Sequence, residues 1–194
     1  MRRFVGTRRA AGGWGIAFVV LLLVSSALAS LPTAADSAAA IAAFYRDHAS
    51  IVVVQQVVGV VALVPLVLFG ISLPPNRWLK PALFLLVGVE LVTQIVPLLI
   101  LASPGSAQPL TSVEDLADAV LFVTVALFVL AATLGQPRWM RVGAYVVAAA
   151  CLLRAVGVSV FALAAPLLFL ALILIMCVWM LVKGRQIPAA QPGG

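Results

Sequence analysis

The chain has 194 residues, 64% of them hydrophobic and only 9% charged, and its mean hydropathy is +1.22. A soluble domain carries roughly 25% charged residues and a disordered chain is richer still in polar residues, so both classes are excluded and an integral membrane protein is predicted. The net charge of +6 does not indicate nucleic-acid binding, because the basic residues are scattered in short segments between apolar runs.

Six apolar runs are candidate membrane spans, since a helix needs about 20 apolar residues to cross the hydrocarbon core. Their approximate limits are 14–31, 51–73, 81–102, 113–134, 142–160 and 164–182. We therefore predict an all-α, single-domain bundle of six transmembrane helices over 14–182. A basic cytoplasmic N-terminus, 1–13, precedes it, and a disordered cytoplasmic tail, 183–194, follows it. The last two spans leave room only for a tight turn between Gly157 and Pro166.

The N-terminal segment also admits a second interpretation. Its basic residues, the apolar run and the triplet Ala27-Leu28-Ala29 resemble a secretory signal peptide with its cleavage site. Cleavage would leave five helices in unchanged orientations. We favour an uncleaved first span, because the run is long enough to cross the bilayer.

The basic residues fall on one side of the six-span scheme. Ten of the twelve flank its inner ends: Arg2, Arg3, Arg8, Arg9, Arg77, Lys80, Arg138, Arg141, Lys183 and Arg185. Five of the six acidic residues fall on the outer side: Asp36, Asp47, Glu114, Asp115 and Asp118. Loops rich in Lys and Arg stay in the cytoplasm. The sequence therefore predicts a bacterial cytoplasmic-membrane protein with both termini in the cytoplasm.

Two outer segments carry the pattern of a capping box. Thr33-Ala-Ala-Asp36 predicts a helix that starts near Ala34 and leads into the second span. Its apolar positions share one face, which would lie either on the outer membrane surface or on top of the bundle: Ile41, Phe44 and Tyr45. Ser112-Val-Glu-Asp115 predicts the start of the fourth span, after a flexible loop over 103–109.

Two ionisable residues are predicted at membrane depth, where charges are costly and mark candidate functional sites. Glu90 and Arg154 lie at depths that differ by about 5 Å, and they could pair if the third and fifth spans are neighbours. Thr93 and Gln94 share a helix face with Glu90, and Gln55 of the second span could join them. The alternative is structural: Glu90 bonds locally, and Arg154 reaches the outer interface.

The remaining candidates for chemistry are weaker. His48 and Tyr45 are candidate residues of the outer surface, but one histidine with no cluster of carboxylates around it makes no metal site. The chain contains no metalloprotease or P-loop motif, and its two cysteines are predicted to be buried apolar residues. We therefore predict no cofactor, no bound metal and no enzymatic activity.

One resemblance to a known family can be stated. The segments Ala42-Ala-Phe-Tyr-Arg-Asp-His48, Ile51-Val-Val-Val-Gln55 and Gly135-Gln-Pro-Arg-Trp139 resemble stretches of uncharacterised actinobacterial multi-pass membrane proteins that carry a domain of unknown function. The resemblance covers about 34–182. It implies a helical membrane protein with short Arg-rich inner turns, and it implies no activity or substrate.

Three functions are consistent with these patterns. The first is a non-enzymatic structural or regulatory membrane protein. The second is a small transporter or ligand-binding protein that uses Glu90 and Arg154, and the third, least favoured, is an intramembrane enzyme. The expected partners are the lipid bilayer, other membrane proteins or a second copy of the chain, and an unidentified small molecule.

Overall fold

Apolar stretches form helices in this chain because a helix satisfies its own backbone hydrogen bonds where water is absent. The computed structural model describes residues 8–183, and the regular structure in that range is entirely helical. The helices are α1 (Arg8–Leu28), α2 (Ala38–Asp47), α3 (Ala49–Ser72), α4 (Leu79–Ala102), α5 (Ala107–Thr133), α6 (Arg138–Ala155) and α7 (Phe161–Lys183). The predicted tail and most of the predicted basic N-terminus lie outside the described residues.

The six longer helices form a closed ring in chain order. Helix α1 packs on α3, and each later helix packs on the one before it. The ring closes where α7 packs against α1. Short connections between consecutive helices make neighbouring helices antiparallel. Helix α2 lies across one end of this ring, in contact with α3, α4 and α5.

Five of the seven helices are long and apolar enough to cross a membrane: α1, α3, α4, α5 with the short 3-10 turn before it, and α7. Between 28% and 44% of each apolar window is buried inside the bundle, so most of these residues face outward. An apolar surface of that extent is not tolerated in water but is matched by lipid. The all-α helical bundle is therefore confirmed, and the protein is a membrane protein.

The sixth predicted span differs from the other five. Helix α6 has only 18 residues and carries three arginines at its ends: Arg138, Arg141 and Arg154. It is not among the five long apolar helices, so the prediction of six such spans is confirmed for five only. It also begins and ends earlier than the predicted limits of 142–160. The tight turn follows Ala155 and contains Gly157 at a φ of 85°, whereas Pro166 lies inside α7.

The helix predicted to start near Ala34 begins at Ala38 instead. Thr33 and Asp36 do bond to each other: the Thr33 amide donates to Asp36 Oδ2 at 2.8 Å, as in a capping box. The Thr33 hydroxyl, however, donates to the same carboxylate, and the Asp36 amide bonds to the Thr33 carbonyl instead, which closes a turn. The N-cap of the helix is Ser37, whose hydroxyl accepts from the Ala40 amide at 3.2 Å. The capping-box prediction was therefore wrong about where the helix starts.

The fourth predicted span also begins earlier than expected. Helix α5 starts at Ala107, directly after a 3-10 turn over Pro104–Ser106, so the predicted flexible loop over 103–109 is helical. Ser112 lies inside the helix, where its hydroxyl donates to the Gln108 carbonyl one turn earlier at 3.3 Å. The predicted start at Ser112 is therefore wrong.

The apolar face of α2 packs on the end of the bundle. Ile41 and Tyr45 are almost completely buried, and they belong to a small core with residues from α3, α4 and α5. Of the two positions left open by the sequence, the structure therefore favours the top of the bundle over the membrane surface.

Candidate functional site

The ring encloses a cavity of about 210 Å³ that is lined by side chains from α1, α3, α4, α5 and α7. Ten of the twelve lining residues are apolar, with Phe18 and Phe169 forming an edge-to-face aromatic pair. The two polar lining residues are Ser26 and Glu90. Glu90 is therefore the one ionisable side chain of this lining.

Glu90 is held in place by its own helix. The Gln94 amide donates to Glu90 Oε1 at 2.7 Å, and the Thr93 hydroxyl donates to the Glu90 backbone carbonyl at 2.8 Å. Gln94 in turn packs against Gly59 of α3, where a side-chain carbon in place of the glycine hydrogen would overlap the amide of Gln94. The structure thus brings Glu90, Thr93 and Gln94 together, although Thr93 contacts only the backbone of Glu90.

Arg154 bonds to Asp118 rather than to Glu90. Its guanidinium nitrogen Nη2 lies 2.9 Å from Asp118 Oδ2, and its charged group lies 5.2 Å from the ring centre of Phe122. The third and fifth predicted spans are α4 and α6, and α5 lies between them in the ring. The possible Glu90–Arg154 pair is therefore replaced by a pair between adjacent helices.

Asp118 is the residue that the sequence analysis missed. It was assigned to the outer end of a helix starting near residue 113, but α5 starts at Ala107. At 1.5 Å per residue, Asp118 lies about 17 Å along the helix axis from Ala107, three turns beyond the start of the helix. Pro104 and Pro109 indicate the earlier start of α5, since proline is favoured in the first turn of a helix.

The carboxyl group of Glu90 has no basic partner. The nearby Arg154 is paired with Asp118 instead. Among the described residues, the ion pairs are Arg154–Asp118 and the exposed pair Arg46–Asp47, so no basic side chain pairs with Glu90. The cavity therefore offers one uncompensated carboxyl group in apolar surroundings.

Gln55 does not join this group. Its amide donates to the Ala29 carbonyl at 3.1 Å, and its own backbone carbonyl accepts from the Ser25 hydroxyl at 3.0 Å. These bonds satisfy polar groups at the end of α1. Gln55 thus joins α3 to α1, and the structure gives it no contact with Glu90.

The two outer candidates, Tyr45 and His48, have separate partners. The Tyr45 hydroxyl donates to Glu114 Oε2 at 3.3 Å, and burial, together with the charge of Glu114, raises the pKa of the Tyr45 phenol. The His48 ring stacks on Phe44 at 4.7 Å between ring centres, and its Nδ1 lies 3.1 Å from the Phe44 carbonyl. Tyr45 therefore fastens α2 to α5, whereas His48 caps the end of α2.

The segment before α2 is fastened to α5 by two further bonds. The Ala34 amide donates to Asp115 Oδ2 at 2.9 Å, and the Gln108 side chain donates to the Ala34 carbonyl at 3.2 Å. Asp115 and Gln108 of α5 thus hold the connection between α1 and α2 in place.

Neither protein-family models, curated proteins nor solved structures give a match to this chain. Within residues 8–183, no three His, Cys, Asp or Glu side chains are grouped closely enough to hold a metal ion. The candidate site is therefore described by its own geometry: an apolar cavity with one carboxyl group.

Proposed function

We propose that the chain crosses the membrane six times, with both termini in the cytoplasm. Helix α6 is about 27 Å long at 1.5 Å per residue, close to the hydrocarbon thickness of about 30 Å. Its arginines lie at its two ends, and Arg154 is neutralised by Asp118. Since α6 packs between two long apolar helices of the ring, it completes the sixth crossing and keeps the basic turns on one side.

Cysteine labelling from one side of the membrane tests this topology. The native Cys151 and Cys177 are buried, so a single cysteine introduced at an exposed turn reports its own side. We expect a membrane-impermeant maleimide to label Ser159→Cys in intact cells and to label Gly135→Cys only after the cells are opened. Labelling of both positions from the same side would show that α6 does not cross.

We also propose that the cavity binds a small lipophilic ligand that carries a protonated amine, without chemical conversion of the ligand. The observation that carries this proposal is the uncompensated carboxyl group of Glu90 in a lining that is otherwise almost wholly apolar. A buried charge is costly unless it is paired. A cationic amine would supply the missing partner, and its hydrocarbon part would fill the apolar space.

A structural role for the polar residues is the second candidate. The Glu90–Gln94 hydrogen bond and the Asp118–Arg154 ion pair favour it, because both hold groups that a ligand would otherwise contact. Arg154 is also absent from the residues that line the cavity. The cavity itself favours ligand binding, since a purely structural site would fill the 210 Å³ with side chains. Kinship with the actinobacterial membrane proteins remains a proposal that rests on sequence motifs.

Thermal unfolding with octylamine as the probe separates the two candidates. At a free concentration about 100-fold above its Kd, octylamine is expected to raise the free energy of unfolding by about 2.7 kcal/mol, which corresponds to about 5–10 °C in Tm. Glu90→Gln is expected to remove this increase, because the amide keeps the shape but not the charge. Octanol, which is uncharged, should give the smaller shift in the wild type.

Glu114→Gln provides the matched control, because it removes a carboxyl group that does not line the cavity. It should keep the octylamine response of the wild type. An equal response in the wild type and in Glu90→Gln would contradict ligand binding at Glu90 and would favour the structural role.

A further inference from the structure

A groove of about 370 Å³ runs between α4 and α5 on the outer surface of the ring. Its floor consists of two small residues, Ala82 and Ala131, which are 9% and 4% exposed. Larger side chains form its walls: Trp78, Leu85, Leu127 and Leu134. Because small residues meet where the two helices face each other, the helices leave an open apolar channel that is not filled by the protein.

The groove lies at the end of the bundle that carries the basic turns. Trp78 and Leu134 mark this end, and Leu85 and Leu127 lie seven residues further along α4 and α5. At 1.5 Å per residue the groove is therefore about 10 Å long, about a third of the hydrocarbon thickness. In the proposed topology, on which this inference depends, it opens into the cytoplasmic leaflet.

A basic side chain lies beside the mouth of the groove. Arg77 is exposed, and its guanidinium lies 5.0 Å from the centre of the Trp78 ring, which lines the groove and is itself 56% exposed. Lys80 is also exposed, but helical periodicity places it on the face of α4 away from Pro81, Ala82 and Leu85. Among the described residues Arg77 has no acidic partner in an ion pair. One unpaired cation thus adjoins the end of an apolar channel.

We propose that this groove binds one anionic phospholipid of the cytoplasmic leaflet. Its phosphate group binds Arg77 beside Trp78, and one acyl chain lies in the groove over Ala82 and Ala131. The positive charge matches the negative headgroup, and the apolar channel matches the chain that is attached to it. The site is distinct from the cavity at Glu90, which lies inside the ring.

A second basic turn at the same end of the bundle provides the comparison that isolates the contribution of the groove to lipid binding. Arg138, Trp139 and Arg141 repeat the pattern of Arg77, Trp78 and Lys80 at the start of α6. Trp139 is as exposed as Trp78, but it does not line the groove. A lipid that is held only by surface charge would use both turns equally, whereas the proposed site uses the first.

Native mass spectrometry of the purified full chain, titrated with dioleoylphosphatidylglycerol, tests the proposal. The variant Arg77→Gln is expected to bind the first lipid about fivefold more weakly, which is the contribution of one basic residue near the headgroup. The matched variant Arg138→Gln removes the same charge and is expected to bind it within about twofold of the wild type. Dioleoylphosphatidylcholine, whose zwitterionic headgroup has no net charge, serves as the comparison and should bind as weakly as the anionic lipid binds Arg77→Gln.

Two outcomes would overturn the proposal. Equal weakening in Arg77→Gln and Arg138→Gln would show that surface charge alone attracts the lipid, and no weakening in Arg77→Gln would exclude Arg77 from the site. A third arm uses glycerol phosphate, which has the headgroup phosphate but no acyl chain. It should not displace the lipid at equal concentration, and displacement would show that the groove takes no part in binding.

Discussion

Removal of the Asp118 carboxylate is expected to lower the free energy of unfolding by about 2–4 kcal/mol. Its partner Arg154 would keep a partly buried charge with no acidic group at 2.9 Å to neutralise it. Breaking a fully buried ion pair costs about 3–5 kcal/mol, and the loss here is smaller because both side chains are about a third exposed. The measurement is reversible unfolding of Asp118→Ala in detergent micelles, compared with the wild type.

The chain offers a control pair for this experiment. Arg46 and Asp47 lie 3.9 Å apart with side chains that are 74% and 66% exposed, so Asp47→Ala is expected to change stability by less than about 0.5 kcal/mol. The double variant Asp118→Leu/Arg154→Leu should be more stable than either single leucine variant, because it leaves no charge unpaired. Additive losses in the double variant would contradict a direct interaction between Asp118 and Arg154.

Replacement of Gly15 by leucine is expected to lower the free energy of unfolding by about 1–3 kcal/mol, or about 2–12 °C in Tm. Gly15 lies where α1 meets α3 and α7, and the first side-chain carbon at this position would overlap the Cys177 sulfur and reach 3.0 Å from the Phe69 ring. Both neighbours are completely buried and have no space into which to move. The measurement is the Tm of the purified variant.

Gly13 is the matched control, because a side-chain carbon there would meet nothing within 4 Å. Gly13→Leu should be neutral or stabilising by up to about 1 kcal/mol, since leucine is the better helix former. The milder variant Gly15→Ala should recover part of its lost stability when Cys177→Ala removes the overlapping sulfur. A similar Tm for the two leucine variants would show that α1 does not approach α7 as closely as described.

Much of the helix content of this fold could be predicted from the sequence, because each apolar run ends near a basic or turn-forming segment. Helices α3, α4 and α7 lie within a few residues of the predicted spans. The starts of α2 and α5 could not be placed, because a capping residue acts only if its side-chain oxygen accepts from a backbone amide at the start of a helix. The Thr33 hydroxyl donates to Asp36 instead, and Ser112 lies inside a helix that began earlier.

The candidate site could be predicted only in part. Glu90 and Gln94 are four residues apart on one helix, so their contact follows from helical periodicity. The partner of Arg154 depends instead on which helices are neighbours in the ring and on the true start of α5, and neither is a local property of the sequence. The cavity likewise depends on side chains from five helices that no local pattern brings together.

The closed ring in chain order has a consequence for biosynthesis. During translation each new helix can dock on the one that left the ribosome just before it, so assembly proceeds by local contacts. Among the described helices the seam between α7 and α1 joins the most distant parts of the chain, and it must wait for the last helix. A nascent protein that stops before Phe161 would therefore expose the Gly15 side of α1 to lipid, an open edge by which a membrane quality-control protease could distinguish unfinished chains from finished ones.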